Sequence, residues 1–583
     1  MITRMVIRNF KRIKDQDYSF TDFDLLVGPN NSGKSTILQA LAIWQFCIEE
    51  FRRAKRHGKS GIQTILPNFT ALPVPEFNLL WTEKVERKYS SGQDKKREQE
   101  YILIEIDVTW RCSDGKDKTF GVKLRFLSPQ TVYAIPTQGW EVFRQYVKDG
   151  SLPVIAYVPP FSGLEPIEEW KDTSILRKQV GKGQPGSILR NLLLLVVRED
   201  KEKQEKNWHE ISSVIQKWFS IGLQRPEYEQ GVDTQIKCEY NDNKRNYDII
   251  AGGSGFHQTL TLLAFLYGYK PTTILLDEPD AHLHVNLQRE ILDCFRRMAG
   301  ERNIQFLIAT HSEELIRGVD ANRVVSLLQH KPIREASTPD IISAMANVSN
   351  VEVNQLRSSP YLVYVEGGTD ERILRTWGGT LGVESDVAKL CFRPMQGGNK
   401  EDMKKDADKH FKSVQQIIPD AKRLMIFDYD TEKTAFHPEE ANEVLFEWMR
   451  KNIENYLLVP DAWKRAVRRV LGSDYDLFLV PFDETVDQFF SEENLTLPPK
   501  KNWIDLDANV FMVVDGKKIL FDSEKSLFNK LRERNAELSV TREVVAGAMS
   551  KKEIHQDVHK LFKRISQMVR PDPINKTGTK SIM

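Results

Sequence analysis

Hydrophobic positions along the chain fall into two patterns. In one, a short apolar run ends in a turn of Gly, Pro, Ser, Asn or Asp, as in LLVGPNNSGKST (residues 25–36), TTILLDEPDAHLH (272–284), IQFLIATHSEE (304–314) and RVVSLL (323–328). Apolar residues at helical spacing follow the first of these in STILQALAIWQF. Buried strands alternating with helices predict a parallel α/β sheet. A second series of the same kind begins at PYLVYVEGGTDERIL (360–374) and includes RLMIFDYDTE (423–432). The other pattern is strict alternation, in residues 2–10 and in YILIEIDVTW (101–110), which predicts half-buried strands. PVIAYVPPFSG (153–163) reads as a buried strand broken by Pro159-Pro160, and residues 165–222 carry helical periodicity. The charged stretch 82–100 predicts a solvated hairpin or loop, with nucleic-acid contact as the lesser alternative. The last hundred or so residues look helical and polar.

Length changes this picture first. At 583 residues the chain exceeds a single hydrophobic core, so two or three domains are expected. Its 83 Lys+Arg against 82 Asp+Glu exclude a wholly basic coat protein but leave room for a local basic groove. The most continuous apolar run, residues 192–197, is far shorter than the roughly 20 residues of a membrane span. The N-terminal MITRMVIRNFKRIKD has no apolar signal-peptide core. Five scattered cysteines without a CxxC pair fit a reducing cytoplasm and offer no zinc site.

Candidate chemistry sits at the ends of the apolar runs. Residues 28–35 spell G-x-x-x-x-G-K-S. Its glycines let successive backbone N–H groups turn inward onto phosphate at a helix N-terminus. Asn31, Gly33, Lys34, Ser35 and Thr36 would then hold a nucleoside triphosphate, Lys34 by charge and the Ser35 hydroxyl through Mg²⁺. Asp277 ends a later strand and could hold the Mg²⁺ shell, while Glu278 polarises the attacking water. His311 ends another strand, placed to sense the γ-phosphate, although a lone histidine there is more often structural. Between them, AGGSGFHQTLTLLAFL opens a helix at Ser254-Gly255.

Taken in order, GPNNSGKST, GGSGFHQ, LLDEPDAHLH and ATHS resemble the ABC/SMC-type ATPases, in the branch that includes RecF and the overcoming-lysogenisation-defect (OLD) proteins. The resemblance covers roughly residues 1–345 and implies that Ser254-Gly255 binds the γ-phosphate held by a partner subunit, in a head-to-head dimer. The motif departs from the usual L-S-G-G-Q order. Residues 165–245 are the place for a helical dimerisation insert.

A second set of carboxylates follows. Glu366 ends one apolar strand, Asp370 opens the next helix, and Asp428 and Asp430 end another strand, where alternation sends both side chains to one side. Hard carboxylate oxygens so grouped suit Mg²⁺ or Mn²⁺. The pair, with MQGGNK between its parts, resembles the Toprim fold of topoisomerases, primases and OLD-type nucleases over roughly residues 358–470. RKNIENYLLVP is similar to a further element of defence-associated Toprim domains and puts Glu454 near the metals. Residues 471–583 would be a helical extension. Their final part, 541–583, holds nine Lys/Arg against four Asp/Glu, and Lys551 or Lys552 could neutralise a transition state there.

An ATPase followed by Toprim on one chain resembles the OLD nucleases, including Gabija-type and retron-associated antiphage effectors. That resemblance implies an α/β protein, an ABC/RecF-like ATPase domain with a helical insert, then a Toprim domain and a helical C-terminal region. It implies an ATP- and Mg²⁺-dependent (or Mn²⁺-dependent) endonuclease cutting nucleic acid in phage defence, DNA favoured and RNA open. The expected assembly is a cytoplasmic homodimer or higher homo-oligomer, with a companion defence subunit or a reverse transcriptase and its RNA as candidate partners. The rivals are an ATP-dependent sensor whose Toprim domain binds without cutting and a RecF-like repair ATPase with a degenerate appendage.

Overall fold

Two parallel sheets organise this computed structural model, one in each of two compact units, Met1–Ile342 and Ser343–Met583. The structure describes every residue except 55–60, 92–96, 162, 173–174, 177–178, 180–183, 330–331, 335–336, 397, 430–443, 473–479, 493–494, 496–500, 505 and 571–583.

In the first unit the strands Ile155–Val158, Thr273–Asp277, Gln305–Thr310, Phe23–Val27 and Val324–Ser326 lie parallel in that order, with Ile333–Arg334 antiparallel at the edge. All five parallel strands are buried along their whole length, which is why they appear as apolar runs rather than alternating ones. The alternating segments form a second, antiparallel sheet, in the order Ile13–Ser19, Ile2–Phe10, Ile104–Arg111, Asp117–Ser128, Thr131–Pro136 and Ile62–Ile65. Helix Lys34–Arg53 is sandwiched in one core with both sheets. Leu38, Leu41 and Trp44 are fully buried there, and the Trp44 indole N–H donates to the Phe120 carbonyl at 2.8 Å. Gln305 ties the sheets together: its amide donates to the Ile2 carbonyl and its oxygen accepts from the Ile2 N–H, both at 2.7 Å.

The charged stretch forms the hairpin Arg87–Ser91/Arg97–Tyr101. In the region expected to be a helical insert, helices span Leu189–Val197 and Lys201–Phe219. They are followed by a small antiparallel sheet of Gly222–Leu223, Glu239–Asp242 and Arg245–Asp248 that helical periodicity did not predict.

The second unit holds a four-stranded, all-parallel sheet in the order Leu390–Pro394, Tyr361–Val365, Lys422–Phe427, Leu445–Glu447. The C-terminal helices Val480–Glu492, Leu527–Arg534, Arg542–Ala548 and Gln556–Val569 are less polar in effect than in composition. Their Val486, Phe489, Leu531, Val545, Leu561 and Ile565 share one core with Val363 and Ile426 of the sheet. Each helix buries one apolar stripe and exposes the charges that dominate its sequence. Among the described residues no helix is long and apolar enough to cross a membrane.

Candidate functional site

Parallel strands in register bring their C-terminal ends to one edge, where α/β proteins bind ligands. In the first unit Val27 lies opposite Thr310, and Asp277 lies opposite Ala309, so the 28–35 loop, Asp277-Glu278 and His311 meet at that edge. Asn31 (φ 63°) and Gly33 (φ 104°) adopt left-handed backbone, and helix Lys34–Arg53 starts immediately after Gly33. Gly33 can hold that angle without strain because it has no Cβ. The curl aims the first-turn N–H groups at one point, an anion cradle.

Lys34 is buried, and its ammonium donates to the Gly28 carbonyl at 2.7 Å and the Pro29 carbonyl at 3.2 Å. Burial lowers its pKa, opposed by the negative charge of Glu278 and Asp277. The Ser35 hydroxyl donates to Asp277 Oδ1 at 3.0 Å, and Tyr157 donates its phenol to Asp277 Oδ2 at 3.0 Å. Burial raises the Asp277 pKa; the hydrogen bonds of Ser35 and Tyr157 pull it back. Thr36 is half-buried beside Ser35, and Asn31 is exposed. Glu278 takes a left-handed φ of 52°, and its carboxylate lies 3.4 Å from His311 Nδ1. Ser254 is exposed at the start of helix Ser254–Ala264, and Gly255 packs near the His282 carbonyl. This donor set fits a nucleoside triphosphate and Mg²⁺: amides and an ammonium for phosphate, hydroxyl and carboxylate oxygens for the cation.

Four side chains at this site escaped the sequence reading. Arg12 donates to the Asn31 carbonyl at 2.5 Å, and Lys11, on the same turn, is close enough to Asp277 to feel its charge. Their signal was the cluster KRIK directly after the first strand. Tyr157 is brought to Asp277 by strand pairing alone, so nothing in its own segment announced it. Gln258, on the helix that Ser254 opens, donates to the carbonyls of Glu278 (3.3 Å) and Pro279 (2.8 Å).

In the second unit, Glu366 and Asp428 end adjacent parallel strands, and the Asp428 N–H donates to Glu366 Oε1 at 2.9 Å. Asp428 Oδ1 accepts from the Ile453 N–H at 3.2 Å, which draws in the short helix Ile453–Leu457 carrying Glu454. Asp370, in the first turn of helix Gly368–Leu381, accepts from the Gly367 N–H at 3.0 Å. Burial pushes its carboxyl up to about 6, and the negative charge of Glu454 adds to the shift. Glu454 is itself buried and ion-paired with Arg542 at 2.8 Å. Lys400, from the MQGGNK turn, is buried and donates to the Tyr429 carbonyl at 2.9 Å. Asp430 lies outside the described residues. Among the described residues no three His, Cys, Asp or Glu side chains converge closely enough to hold a metal ion. The donor chemistry, all hard carboxylate oxygen, suits Mg²⁺ or Mn²⁺, and the described carboxylates alone do not complete a ligand shell.

Of the C-terminal cations, Arg542 pairs with Glu454, and Lys517 is close enough for its charge to oppose the upward shift of Asp370. Asn455 holds its loop: the side-chain amide donates to the carbonyls of Phe511 and Val514 and its oxygen accepts from the Gly516 N–H at 2.7 Å. A Cβ on Gly516 would lie 2.2 Å from that oxygen. Lys551 sits instead beside Gly382, at the other end of the 14-residue helix whose first turn carries Asp370, about 20 Å away.

Two family matches fall within the first unit. Residues 1–119 match the AAA ATPase domain, and residues 203–317 match "AAA domain, putative AbiEii toxin, Type IV TA system". An ATP/GTP phosphatase of Helicobacter pylori is 20% identical over 340 residues, 55% of this chain and 88% of its own length. Protein ea59 of Escherichia phage lambda is 25% identical over 33% of this chain and 39% of its own. Among solved structures, an SMC head bound to the C-winged helix domain of ScpA is 16% identical with a TM-score of 0.35, covering 56% of this chain and 94% of that one. RecF-ATPrS, a recombination mediator, is 14% identical with a TM-score of 0.33 over 56% of this chain and 95% of its own. Scores this low carry no detail of the site. The family matches and the phosphate cradle together mark the first unit as an ATPase domain.

Proposed function

We propose that the protein is an ATPase-coupled, divalent-metal-dependent nuclease of the OLD type, acting on nucleic acid, with DNA favoured, in antiphage defence. The observation that carries the reading is the meeting of Glu366 and Asp428 at neighbouring parallel strand ends, with Asp370 and Glu454 beside them. Burial, with the negative charge of Glu454 added, raises the pKa of Asp370, a cost that a cation would relieve and that a plain phosphate-binding surface has no reason to carry. Glu366, Asp370, Asp428 and Asp430 would hold Mg²⁺ or Mn²⁺, which when bound supplies an activated water and shields the phosphodiester charge. Lys517 stands on the acid cluster's flank, suited to meet the phosphate oxygens.

In the ATPase domain, Lys34 and the loop amides bind the phosphates. Glu278 accepts a proton from the water attacking the γ-phosphate, and His311 faces the same point. Exposed Ser254 is free to reach a nucleotide on a second copy, which supports a homodimer closed by ATP. An ATP-dependent crosslink between Ser254→Cys and a P-loop cysteine on the partner tests that step; no crosslink with ATP bound removes the composite site.

A second reading has its own observation. Arg542 already neutralises Glu454, and the described carboxylates do not converge on one point. That arrangement favours a binding domain that senses nucleic acid without cutting it. Incubating purified protein with supercoiled plasmid and with structured RNA, each with Mg²⁺, Mn²⁺, Ca²⁺ or EDTA, separates the two. Cutting with Mg²⁺ or Mn²⁺ that EDTA and Asp428→Ala both stop supports the nuclease. Binding without cutting under every metal and nucleotide supports the sensor.

A further inference from the structure

The turn after the Asp277 strand is tied to the His311 strand by a closed ring of hydrogen bonds. Asp280, buried at 4% exposure, accepts from the Thr310 hydroxyl at 2.7 Å. Thr310, fully buried at the last position of its strand, accepts in turn from the Ser312 N–H at 2.9 Å. The Ser312 hydroxyl donates to Gln288 Oε1 at 2.7 Å, and the Gln288 amide returns to the Leu283 carbonyl at 3.0 Å and the Asp280 carbonyl at 3.4 Å. Three elements are thereby locked: the 278–283 turn, the 310–312 loop and helix Val285–Arg302. Glu278 and His311, which the proposed function sets at the γ-phosphate and on which this inference rests, lie within two residues of ring members. Neither belongs to the ring. Glu278 also needs external support, since its left-handed backbone is unfavourable for a residue with a Cβ.

We infer that Asp280 and Thr310 are positioning residues for ATP hydrolysis, which hold Glu278 and His311 in register without touching nucleotide. The ring's hydrogen bonds use an acceptor at 280 and a hydroxyl at 310. Asparagine at 280 can still accept, and serine at 310 can still donate; alanine and valine cannot. A buried hydrogen-bonded network acts as a unit, so breaking two of its links should cost no more than breaking one.

The experiment measures steady-state ATP hydrolysis and equilibrium binding of a fluorescent ATP analogue for the full-length chain. Thr310→Val, nearly isosteric, should lower kcat roughly 10- to 100-fold, since misplacing a catalytic group by about 1 Å has that effect. Asp280→Ala should do the same. ATP affinity should stay within about twofold, because Lys34 and the loop amides lie outside the ring. Thr310→Ser and Asp280→Asn should recover most of the rate, and Asp280→Ala/Thr310→Val should be no slower than either single change. If Asp280→Ala fails to fold, the Thr310 pair decides alone. A Thr310→Val enzyme with wild-type kcat, a loss that appears in ATP affinity, or a Thr310→Ser variant as slow as Thr310→Val would overturn the assignment.

Discussion

Both carboxylate sets lie beyond the C-terminal ends of parallel strands, yet their negative charge is held in different ways. Asp277 divides its two oxygens between side-chain hydroxyls, Ser35 and Tyr157, with the buried ammonium of Lys34 nearby. Glu366, Asp370 and Asp428 lean on backbone N–H groups, and Glu454 on a single guanidinium. A loop that already concentrates amides and a lysine tolerates a buried carboxylate next to it. In the second cluster Lys400, Lys517 and Arg542 stand among the acids, and burial pushes one acid, Asp370, up to about 6. On the proposed function, the same fold position would take phosphate in one unit and a cation in the other, according to whether donors or acceptors dominate.

The sharpest way to break this comparison is to remove one charge from each site. Lys34→Ala should weaken ATP binding at least about a hundredfold, and Asp428→Ala should lower nucleic-acid cleavage by at least about the same factor. Under saturating ATP, Asp428→Ala should hydrolyse ATP within about twofold of wild type; loss of both activities would mean that the two sites are not separate. Glu278→Gln comes next. It should slow hydrolysis by about 10² or more while ATP still binds, as read by single-turnover assays and analogue titration.

A smaller effect concerns stability. Trp377 is fully buried in the second unit's core, with its indole N–H against the Met549 sulfur at 3.4 Å. Trp377→Ala should cost about 3–5 kcal/mol in that unit, seen by calorimetry as a lowered melting transition. Asp370→Asn is the smallest change and runs the other way. The Asp370 carboxyl titrates near 6 in the folded chain, above its ordinary 3.8. Its cost to stability is absent well below pH 3.8, grows as pH rises from there to about 6, and is constant above that. Asparagine should thus stabilise the unit by at most about 3 kcal/mol at pH 7.5, by about 1 kcal/mol at pH 4.5 and hardly at pH 3, read as a raised melting temperature. Saturating Mn²⁺ should shrink that advantage if Asp370 is a ligand; an advantage unchanged by Mn²⁺ would remove Asp370 from the metal site.

Local pattern carried much of the fold. Buried strands such as TILLD and QFLIAT were legible because a strand covered on both faces must be apolar throughout, and the P-loop because its conformation demands glycine at Gly33. Glu366, Asp370 and Asp428 were legible as strand-end and helix-start acids. Tyr157 and Gln258 were not: each acts on a residue about 20 or more positions away in sequence, through a hydrogen bond that only packing creates. The C-terminal helices misled for the opposite reason, since their charged faces dominate composition while a narrow apolar stripe does the packing.

By itself, the sequence determined the order of strands and helices, the phosphate-binding loop and which acids stand at strand ends. Those follow from side-chain periodicity and backbone conformation, which are local properties. Strand order, the pairing of Gln305 with Ile2, the ring through Asp280, Thr310, Ser312 and Gln288, and the approach of Lys517 to Asp370 were decided only by tertiary structure. Each depends on which distant segments share one core. That is settled by burial summed over the whole chain and by the need to satisfy every buried polar group, not by any residue's neighbours in sequence.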